Sequence, residues 1–210
     1  MPGASLNLAR LHRYSGALLG LFLVFHLANQ MLLLRGPSTH LATMEALRLV
    51  YRWPPVEALL LTCVVVQIVT GLMRLRRRSG RPAPTVAKPA RLAGLYLLYF
   101  LAVHTLAVLG ARGLLKLDTN LYFAAAGLHV WPYTLYFVPH YVLAVTAVFV
   151  HLGSALAPRL GMRSLAARKA AIMVACAAGV AIGTVIVSAM AGDAVRIPPE
   201  YTAPFPTPSP

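Results

Sequence analysis

The chain has 210 residues, 59% of them hydrophobic and 11% charged, and its mean hydropathy is +0.70. This composition is typical of an integral membrane protein and leaves no room for a large soluble catalytic domain. Despite the net charge of +14, no basic surface interleaved with aromatic residues is present, so we expect no nucleic-acid partner. Cys63 and Cys176 form no CxxC or CxxCH motif, which excludes covalent c-type haem attachment.

Five apolar segments are each close to the length that a helix needs to cross about 30 Å of hydrocarbon. We therefore predict an all-α integral membrane bundle in which these segments are the first to fifth transmembrane spans. They run over residues 14–34, 56–73, 92–110, 133–157 and 170–191. The first segment has no convincing cleavage site and is predicted to be a retained helix rather than a signal peptide.

An amphipathic helix is predicted on the outer surface between the first and second spans, at residues 39–52. Its apolar residues recur near helical spacing. They are Leu41, Met44, Leu47 and Val50 or Tyr51.

Two later segments are not predicted to cross the membrane. Residues 114–131 are apolar and aromatic but irregular, so they either cap the bundle or line a ligand site. Residues 197–210 are rich in proline and predict an extended or disordered outer tail. The transmembrane domain is accordingly assigned to residues 1–196.

The distribution of charge predicts the orientation of the spans. The side of the N-terminus carries 13 basic residues and no acidic one: Arg10, Arg13, seven residues from Arg74 to Arg91, Arg159, Arg163, Arg168 and Lys169. The opposite side carries six basic residues (Arg35, Arg48, Arg52, Arg112, Lys116 and Arg196) and all five acidic residues (Glu45, Glu57, Asp118, Asp193 and Glu200). We expect the N-terminus inside and the C-terminus outside. The basic inner face would also suit an acidic partner or anionic lipid.

His26 and His104 lie at the same predicted depth in two different spans. Each follows an arginine at the inner boundary, Arg13 or Arg91, by thirteen residues, or about 19 Å along a helix. An ionisable side chain at that depth is costly and marks a functional site. Two imidazoles at one depth can be the axial ligands of a haem iron. The alternative is two unrelated histidines, each hydrogen-bonded to a nearby carbonyl, serine or threonine.

The first span places its polar residues on one face, which predicts that this face points into the bundle. They are His12, Ser15, His26, Asn29 and Gln30. The fourth span carries His140 and His151 three turns apart on one face. His151 lies about 12 Å from the inner side, and Gln67 of the second span lies about 10 Å from it. They form a second pair matched in depth, although glutamine is not a usual haem ligand.

These positions resemble the five-helix cytochrome b subunit that anchors succinate dehydrogenases and fumarate reductases. The resemblance covers nearly the whole chain. It is carried by LHRYSGALLGLFLVFHLANQ in the first span, GLYLLYFLAVHTL in the third and FVHLGSALAPRLG at the end of the fourth. The order and spacing of His26, Gln67, His104 and His151 follow the four-histidine pattern of that family, with glutamine in place of the second histidine.

The resemblance implies a haem b-binding, quinone-reactive subunit that is not catalytic alone. Its partners would be flavoprotein and iron–sulfur subunits on the inner face of a bacterial inner membrane. By the pattern of the dihaem members, His26 and His104 would hold the haem far from the flavoprotein, and Gln67 and His151 the near one. Because Gln67 replaces a ligand, we expect one haem b, with two as the alternative.

Quinone chemistry needs proton donors, and the sequence offers candidates at both sides of the membrane. The inner candidates are Ser15, His12 and Arg13. The outer candidates are His140, Glu57 and Tyr141, although Glu57 also suits the helix dipole as an N-terminal acid.

Two other functions stay open. A dihaem cytochrome of the b561 or bc type would pair His12 with His151 and His26 with His140, but the depths match poorly and His104 is left unused. A haem-free structural or assembly subunit of a larger complex would account for Gln67 and for the proline-rich tail, which would then dock an outer partner.

Overall fold

The computed structural model describes residues 3–78 and 87–205, with side chains from residue 7 to 77 and from 87 to 205. Over these residues the chain is all-helical, as predicted, and forms no strand. Eight α-helices follow one another in the order α1 (Gly3–Leu32), α2 (Pro37–Tyr51), α3 (Pro54–Arg78), α4 (Lys88–Gly113), α5 (Leu121–Ala125), α6 (Thr134–Leu156), α7 (Leu165–Met190) and α8 (Pro199–Thr202).

Five of these helices are long and apolar enough to cross a membrane, which indicates a multi-pass membrane protein and confirms the prediction of five spans. The candidate spans are Asn7–Arg35, Pro54–Arg77, Lys88–Gly113, Thr134–Leu156 and Leu165–Met190. Most are longer than the predicted spans because the helices continue into flanking polar and basic residues. In lipid a helix is favoured because it pairs its backbone polar groups within one segment.

The five long helices alternate in direction and pack side by side. α1 packs on α3, α3 on α4, α4 on α6, and α6 most extensively on α7. α1 and α4 therefore face each other across the bundle rather than packing as neighbours. We call the end where α1 and α7 begin the basic end. The opposite end, which carries α2, α5 and α8, is called the capped end.

α6 and α7 approach closely because small residues line their contact. A Cβ atom placed on Gly179 would lie 2.6 Å from the Cα atom of Thr146, and one on Gly183 would lie 3.1 Å from the Cα atom of Val142. Such distances leave no room for a side chain. Close approach through small residues is a common way for membrane helices to pack, because lipid supplies no hydrophobic driving force between them.

Residues 114–131 cap the bundle, which was one of their two predicted roles. Leu121, Ala125 and Leu128 are buried against the capped ends of α6 and α7. The side chain of Asn120 caps α5 by accepting hydrogen bonds from the amides of Tyr122 and Phe123. The capped end therefore has its own packed core.

α2 forms where a helix was predicted, but its buried face differs from the predicted apolar one. The structure buries His40, Met44 and Arg48, whereas Val50 is 62% exposed. The sequence offered Val50 or Tyr51 at this position, and of the two it is Tyr51 whose ring contacts α1, edge-on to Phe22 at 5.6 Å. Arg48 takes part in that face because its guanidinium forms a two-pronged ion pair with Asp118, at 2.9 and 3.0 Å.

Ion pairs fasten the capped end. Arg48 also bonds Glu45 at 2.6 Å, and Arg52 bonds Asp118 at 3.3 Å. A separate ion pair joins Arg112 at the end of α4 to Glu57 in the first turn of α3. Burial alone would raise the pKa of Asp118, but its hydrogen bonds and proximity to Arg48 and Arg52 outweigh this and lower that pKa.

The expectation of an extended or disordered tail is wrong for residues 199–202, which form α8. Tyr201 is buried, and its hydroxyl accepts a hydrogen bond of 2.9 Å from the side-chain amide of Asn120. This contact holds the segment against the cap because a buried hydroxyl needs a polar partner. Residues 206–210 lie outside the described residues.

Gly179→Ala should destabilise the protein by about 1–3 kcal/mol, because the added methyl group meets the backbone of α6 at Thr146. Gly20→Ala is the matched control: nothing lies within 4 Å of its added Cβ atom, and alanine is the better helix former. Denaturation in detergent, followed by circular dichroism, measures both. Equal stability of the two variants would contradict the close contact of α6 with α7.

Asp118→Asn should weaken the capped end at neutral pH and should matter less in acid. A carboxylate with a lowered pKa stabilises the fold above its ordinary value near 4, and the contribution is lost as the pH falls through the lowered value. Melting temperatures of wild type and variant are therefore expected to converge as the pH falls from about 4 through the lowered pKa of Asp118. The exposed Asp193, in no described ion pair, is the control carboxylate, and Asp193→Asn should leave the pH profile unchanged.

Candidate functional site

The structure brings His26 of α1 and His104 of α4 together across the bundle. Their ring centroids lie 6.3 Å apart, with an angle of 68° between the ring planes. Each imidazole stacks on an aromatic residue one turn before it: Phe22 lies 5.6 Å from His26, and Phe100 lies 5.3 Å from His104. The spacing of four residues places each aromatic ring on the same helix face as its histidine. The predicted pairing of these two side chains is thus present in the fold.

Besides His151, which is described below, four other histidines have hydrogen-bond partners inside the protein. The Nδ1 atom of His40 bonds the Asn29 carbonyl at 2.9 Å, and the Nε2 atom of His129 bonds the Met190 carbonyl at 2.8 Å. His12 bonds the Thr70 hydroxyl at 2.8 Å, and His140 bonds the Tyr96 hydroxyl at 3.1 Å. Burial lowers the pKa of His40 more than the hydrogen bond to Asn29 raises it, which favours the neutral ring.

His26 and His104 differ from those four histidines. Over the described part of the chain, no hydrogen bond joins either imidazole to a carbonyl, serine or threonine. The sequence left open the possibility that each was a bonded, structural histidine. The structure instead leaves two neighbouring imidazoles that bond no described residue.

The spacing of the pair fits a haem iron. An iron between two imidazoles, with metal–nitrogen distances of about 2 Å, holds the ring centroids roughly 6 Å apart, and the observed separation is 6.3 Å. Only two protein ligands are required, because the porphyrin supplies the other four. Within residues 3–78 and 87–205, no group of three or more histidine, cysteine or acidic side chains could hold a bare metal ion.

Two buried amide oxygens lie one turn beyond His26, toward the capped end. The Oδ1 atom of Asn29 and the Oε1 atom of Gln30 are both buried and have no hydrogen-bond partner. Buried polar atoms normally have partners, and the oxygen and nitrogen of a side-chain amide exchange places by a simple flip. These amides are therefore suited to the polar edge of a bound group.

Gln67 and His151, the second pair predicted from matched depth, do not form a comparable pair of free ligands. The Nε2 atom of Gln67 donates to the carbonyl of His12 at 2.6 Å and to the hydroxyl of Ser15 at 2.8 Å. A Cβ atom added to Gly16 would lie 3.0 Å from that same nitrogen, so the amide fills the space between α3 and α1. Gln67 thus ties two helices together and does not leave a free ligand position.

His151 lies against a different helix from Gln67. The ring of His151 bonds the backbone of Ala90 in α4. A Cβ atom on Gly94 of the same helix would be 3.3 Å from that ring, and the Nδ1 atom is buried without a partner. Side chains fill the spaces next to the nearby glycines, so the residues present do not fit a second haem between Gln67 and His151. The inner candidate Arg13 has an exposed side chain.

The proton-donor candidates have other partners. Ser15 donates to the Leu11 carbonyl at 2.8 Å, Tyr141 donates to the Ala124 carbonyl at 2.9 Å, and Glu57 is paired with Arg112. These contacts secure the fold, because a polar group in an apolar setting needs a partner within the protein.

Sequence reasoning missed a group of rings around His140, which we call the aromatic cluster. It consists of Tyr96, Tyr99 and Phe100 of α4 with Tyr136 and His140 of α6. A signal was present, since Tyr96, Phe100 and His104 recur every four residues, as do Tyr136 and His140. The register of α4 against α6, which joins the two sets, is a tertiary feature.

No protein-family model, curated protein or solved structure matches this chain.

Gln67→Leu should cost about 1 kcal/mol of stability, because it removes two hydrogen bonds between α3 and α1 while keeping similar bulk. Thr62→Val is the control on the same helix: its hydroxyl bonds only the Ala58 carbonyl one turn earlier, so no contact between helices is lost. Denaturation in detergent compares the two. If Gln67→Leu were as stable as wild type, the bridging role of this amide would be disproved.

Proposed function

We propose that this protein binds one haem b between His26 and His104. We further propose that it is the quinone-reactive membrane-anchor subunit of a respiratory complex similar to succinate dehydrogenase. The observation that carries the proposal is the pair of imidazoles, 6.3 Å apart in a membrane bundle and without hydrogen bonds to described residues. An ionisable group at such depth is expensive to maintain, which argues for a function.

The chain's own part would be to hold, orient and shield the cofactor. His26 and His104 would supply the axial ligands, and Phe22 and Phe100 would fix the planes of the two imidazoles by stacking on them. Haem b would supply reversible one-electron transfer between an iron–sulfur partner and membrane quinone. The buried amide of Asn29 would hydrogen-bond the polar edge of the group.

The charge asymmetry supports the proposed orientation and partners. In the sequence, the segments predicted on the side of the N-terminus carry 13 basic residues and no acidic one. By the positive-inside rule, this side and the N-terminus would lie in the cytoplasm of a bacterial cell. The capped end and α8 would then face the periplasm, where α2 would lie at the membrane surface. The flavoprotein and iron–sulfur subunits would dock at the basic end, which suits an acidic surface.

The geometry favours this function over the dihaem b561-type scheme. That scheme pairs His26 with His140, but the ring contacts of His140 are with tyrosine and phenylalanine, and the histidine beside His26 is His104. It also leaves His104 unused, although the ring of His104 lies 6.3 Å from that of His26. A haem-free structural subunit would lack a reason to keep two unbonded imidazoles together.

The test is a dithionite-reduced minus oxidised spectrum of the purified protein with a pyridine haemochrome count. We expect one low-spin b-type haem per chain, and His26→Ala and His104→Ala should each lose at least about tenfold in haem content, since an axial ligand is removed. His129→Ala is the control, because its imidazole bonds the Met190 carbonyl away from the pair. It should keep full haem content.

Two outcomes would contradict the proposal. Haem-free wild-type protein after expression with sufficient haem supply would exclude a cytochrome. Full haem content in both His26→Ala and His104→Ala, with native circular dichroism, would place the haem elsewhere.

A further inference from the structure

His140 lies at the centre of the aromatic cluster, between α4 and α6. Its ring centroid is 4.7 Å from that of Tyr136, 4.9 Å from that of Phe100 and 5.8 Å from that of Tyr99. The imidazole and the Tyr136 ring are stacked, with 21° between their planes. The cluster is therefore a layered set of flat rings, a setting that suits another flat ring.

One side of the cluster is open to the surroundings of the bundle. Tyr99 and Tyr136 are 45% and 43% exposed, and both belong to helices that are long and apolar enough to cross a membrane. In a membrane their exposed parts would face lipid, so a lipid-dissolved molecule would reach them without passing through the protein.

Tyr99 and Tyr136 together have one hydroxyl donor that is not used in the hydrogen bond between them. Their hydroxyl oxygens are 2.9 Å apart, so one hydroxyl donates to the other. The second hydroxyl hydrogen has no partner among the described residues, and where it faced hydrocarbon, lipid would offer it no acceptor. A polar group left in this way costs free energy until a ligand supplies an acceptor.

Beside this tyrosine donor, His140 offers a hydrogen-bond acceptor. The Tyr96 hydroxyl lies 3.0 Å from the His140 carbonyl and 3.1 Å from its Nδ1 atom. Since a carbonyl only accepts, Tyr96 donates to it, and the Nδ1–H group of His140 donates to the Tyr96 oxygen. This pattern assigns the proton to Nδ1 and leaves Nε2, which bonds no described residue, as an acceptor.

The cluster also touches the proposed haem ligand. Phe100 lies between His140 and His104, at ring-centroid distances of 4.9 and 5.3 Å, and stacks on His104 with 11° between the planes. A ligand at the two tyrosines would thus be connected to His104 by a short series of ring contacts. This neighbourhood favours a redox-active ligand over an ordinary lipid.

We propose that Tyr99, Tyr136 and His140 bind the head group of a membrane quinone or hydroquinone that enters from lipid between α4 and α6. A quinone oxygen would accept from the unpartnered tyrosine hydroxyl, and a hydroquinone hydroxyl would donate to Nε2 of His140. The inference rests on the proposed function for the identity of the ligand, because quinone is the partner expected of the haem. It assigns the ligand to residues other than Ser15, Arg13 and Glu57.

The experiment titrates the full-length protein in detergent with 2-heptyl-4-hydroxyquinoline N-oxide, a fluorescent quinone-like ring whose emission is quenched on binding. The double variant Tyr99→Phe with Tyr136→Phe keeps both rings and removes both hydroxyls. We expect its dissociation constant to rise at least about tenfold, as for loss of a buried hydrogen bond. Each single variant should weaken binding less, because one hydroxyl donor remains.

Tyr14→Phe is the matched control, since Tyr14 is also an exposed tyrosine on a spanning helix, and it should bind as wild type does. Unchanged affinity in the double variant would overturn the proposal, as would failure of wild type to bind the probe. His140→Gln provides an independent test: it should weaken binding even if the double variant misfolds, and wild-type affinity would contradict the acceptor role.

The haem count on the same samples separates this inference from the proposed function. Haem-free wild type whose probe binding depends on the two hydroxyls would leave the site standing and remove the cytochrome function. If wild type carries haem but the probe binds equally well without the two hydroxyls, the cytochrome function stands and the proposed quinone site is excluded.

Discussion

A polar side chain in the hydrocarbon of a bilayer must find its partner inside the protein, because no water is present to supply one. Much of this structure follows from that constraint. His12 and His140 bond hydroxyl groups on neighbouring helices, and Gln67 bonds the backbone and side chain of α1. His26 and His104 stand out because they meet each other and make no such bond. A shared ligand would give these two imidazoles the polar partner that hydrogen bonds give to His12, His140 and Gln67.

The unequal packing of the helices makes such a ligand position possible. α6 and α7 are drawn together through glycines that leave no space for side chains between them. α1 and α4 face each other across the bundle, so large side chains fill the distance between them. Phe22 and Phe100 stack on the two imidazoles there. A bundle packed uniformly through small residues would have no room for opposed histidines.

The capped end gives this arrangement a rigid boundary. Arg48 and Asp118 join α2 to the segment before α5, and Arg112 with Glu57 joins α4 to α3. The imidazole of His40 anchors α2 to the carbonyl of Asn29, one turn beyond His26. The position of α1 near the proposed ligand is therefore coupled to the cap by direct contacts. Partly buried, two-pronged ion pairs fix geometry better than exposed single ones.

The amino-acid sequence by itself determined the five spans, the charge asymmetry of the two ends and the matched depth of His26 and His104. Each of these depends on composition or on spacing along a single helix, which has a fixed rise and turn. The sequence also located α2 and the capping segment, although its apolar pattern did not include the buried Arg48. Arg48 could not be placed because its burial depends on Asp118, seventy residues away.

Only the tertiary structure decided which polar groups satisfy one another. Depth suggested that Gln67 and His151 form a pair, but Gln67 bonds α1 and His151 lies against α4. The aromatic cluster likewise depends on how α4 and α6 are aligned, as no single-helix pattern relates Tyr99 to Tyr136. Helical periodicity gives the face and height of a residue, whereas rotation and crossing of neighbouring helices depend on all their side chains packing together. Those packing choices separated two histidines that bond no described residue from five that are bonded within the fold.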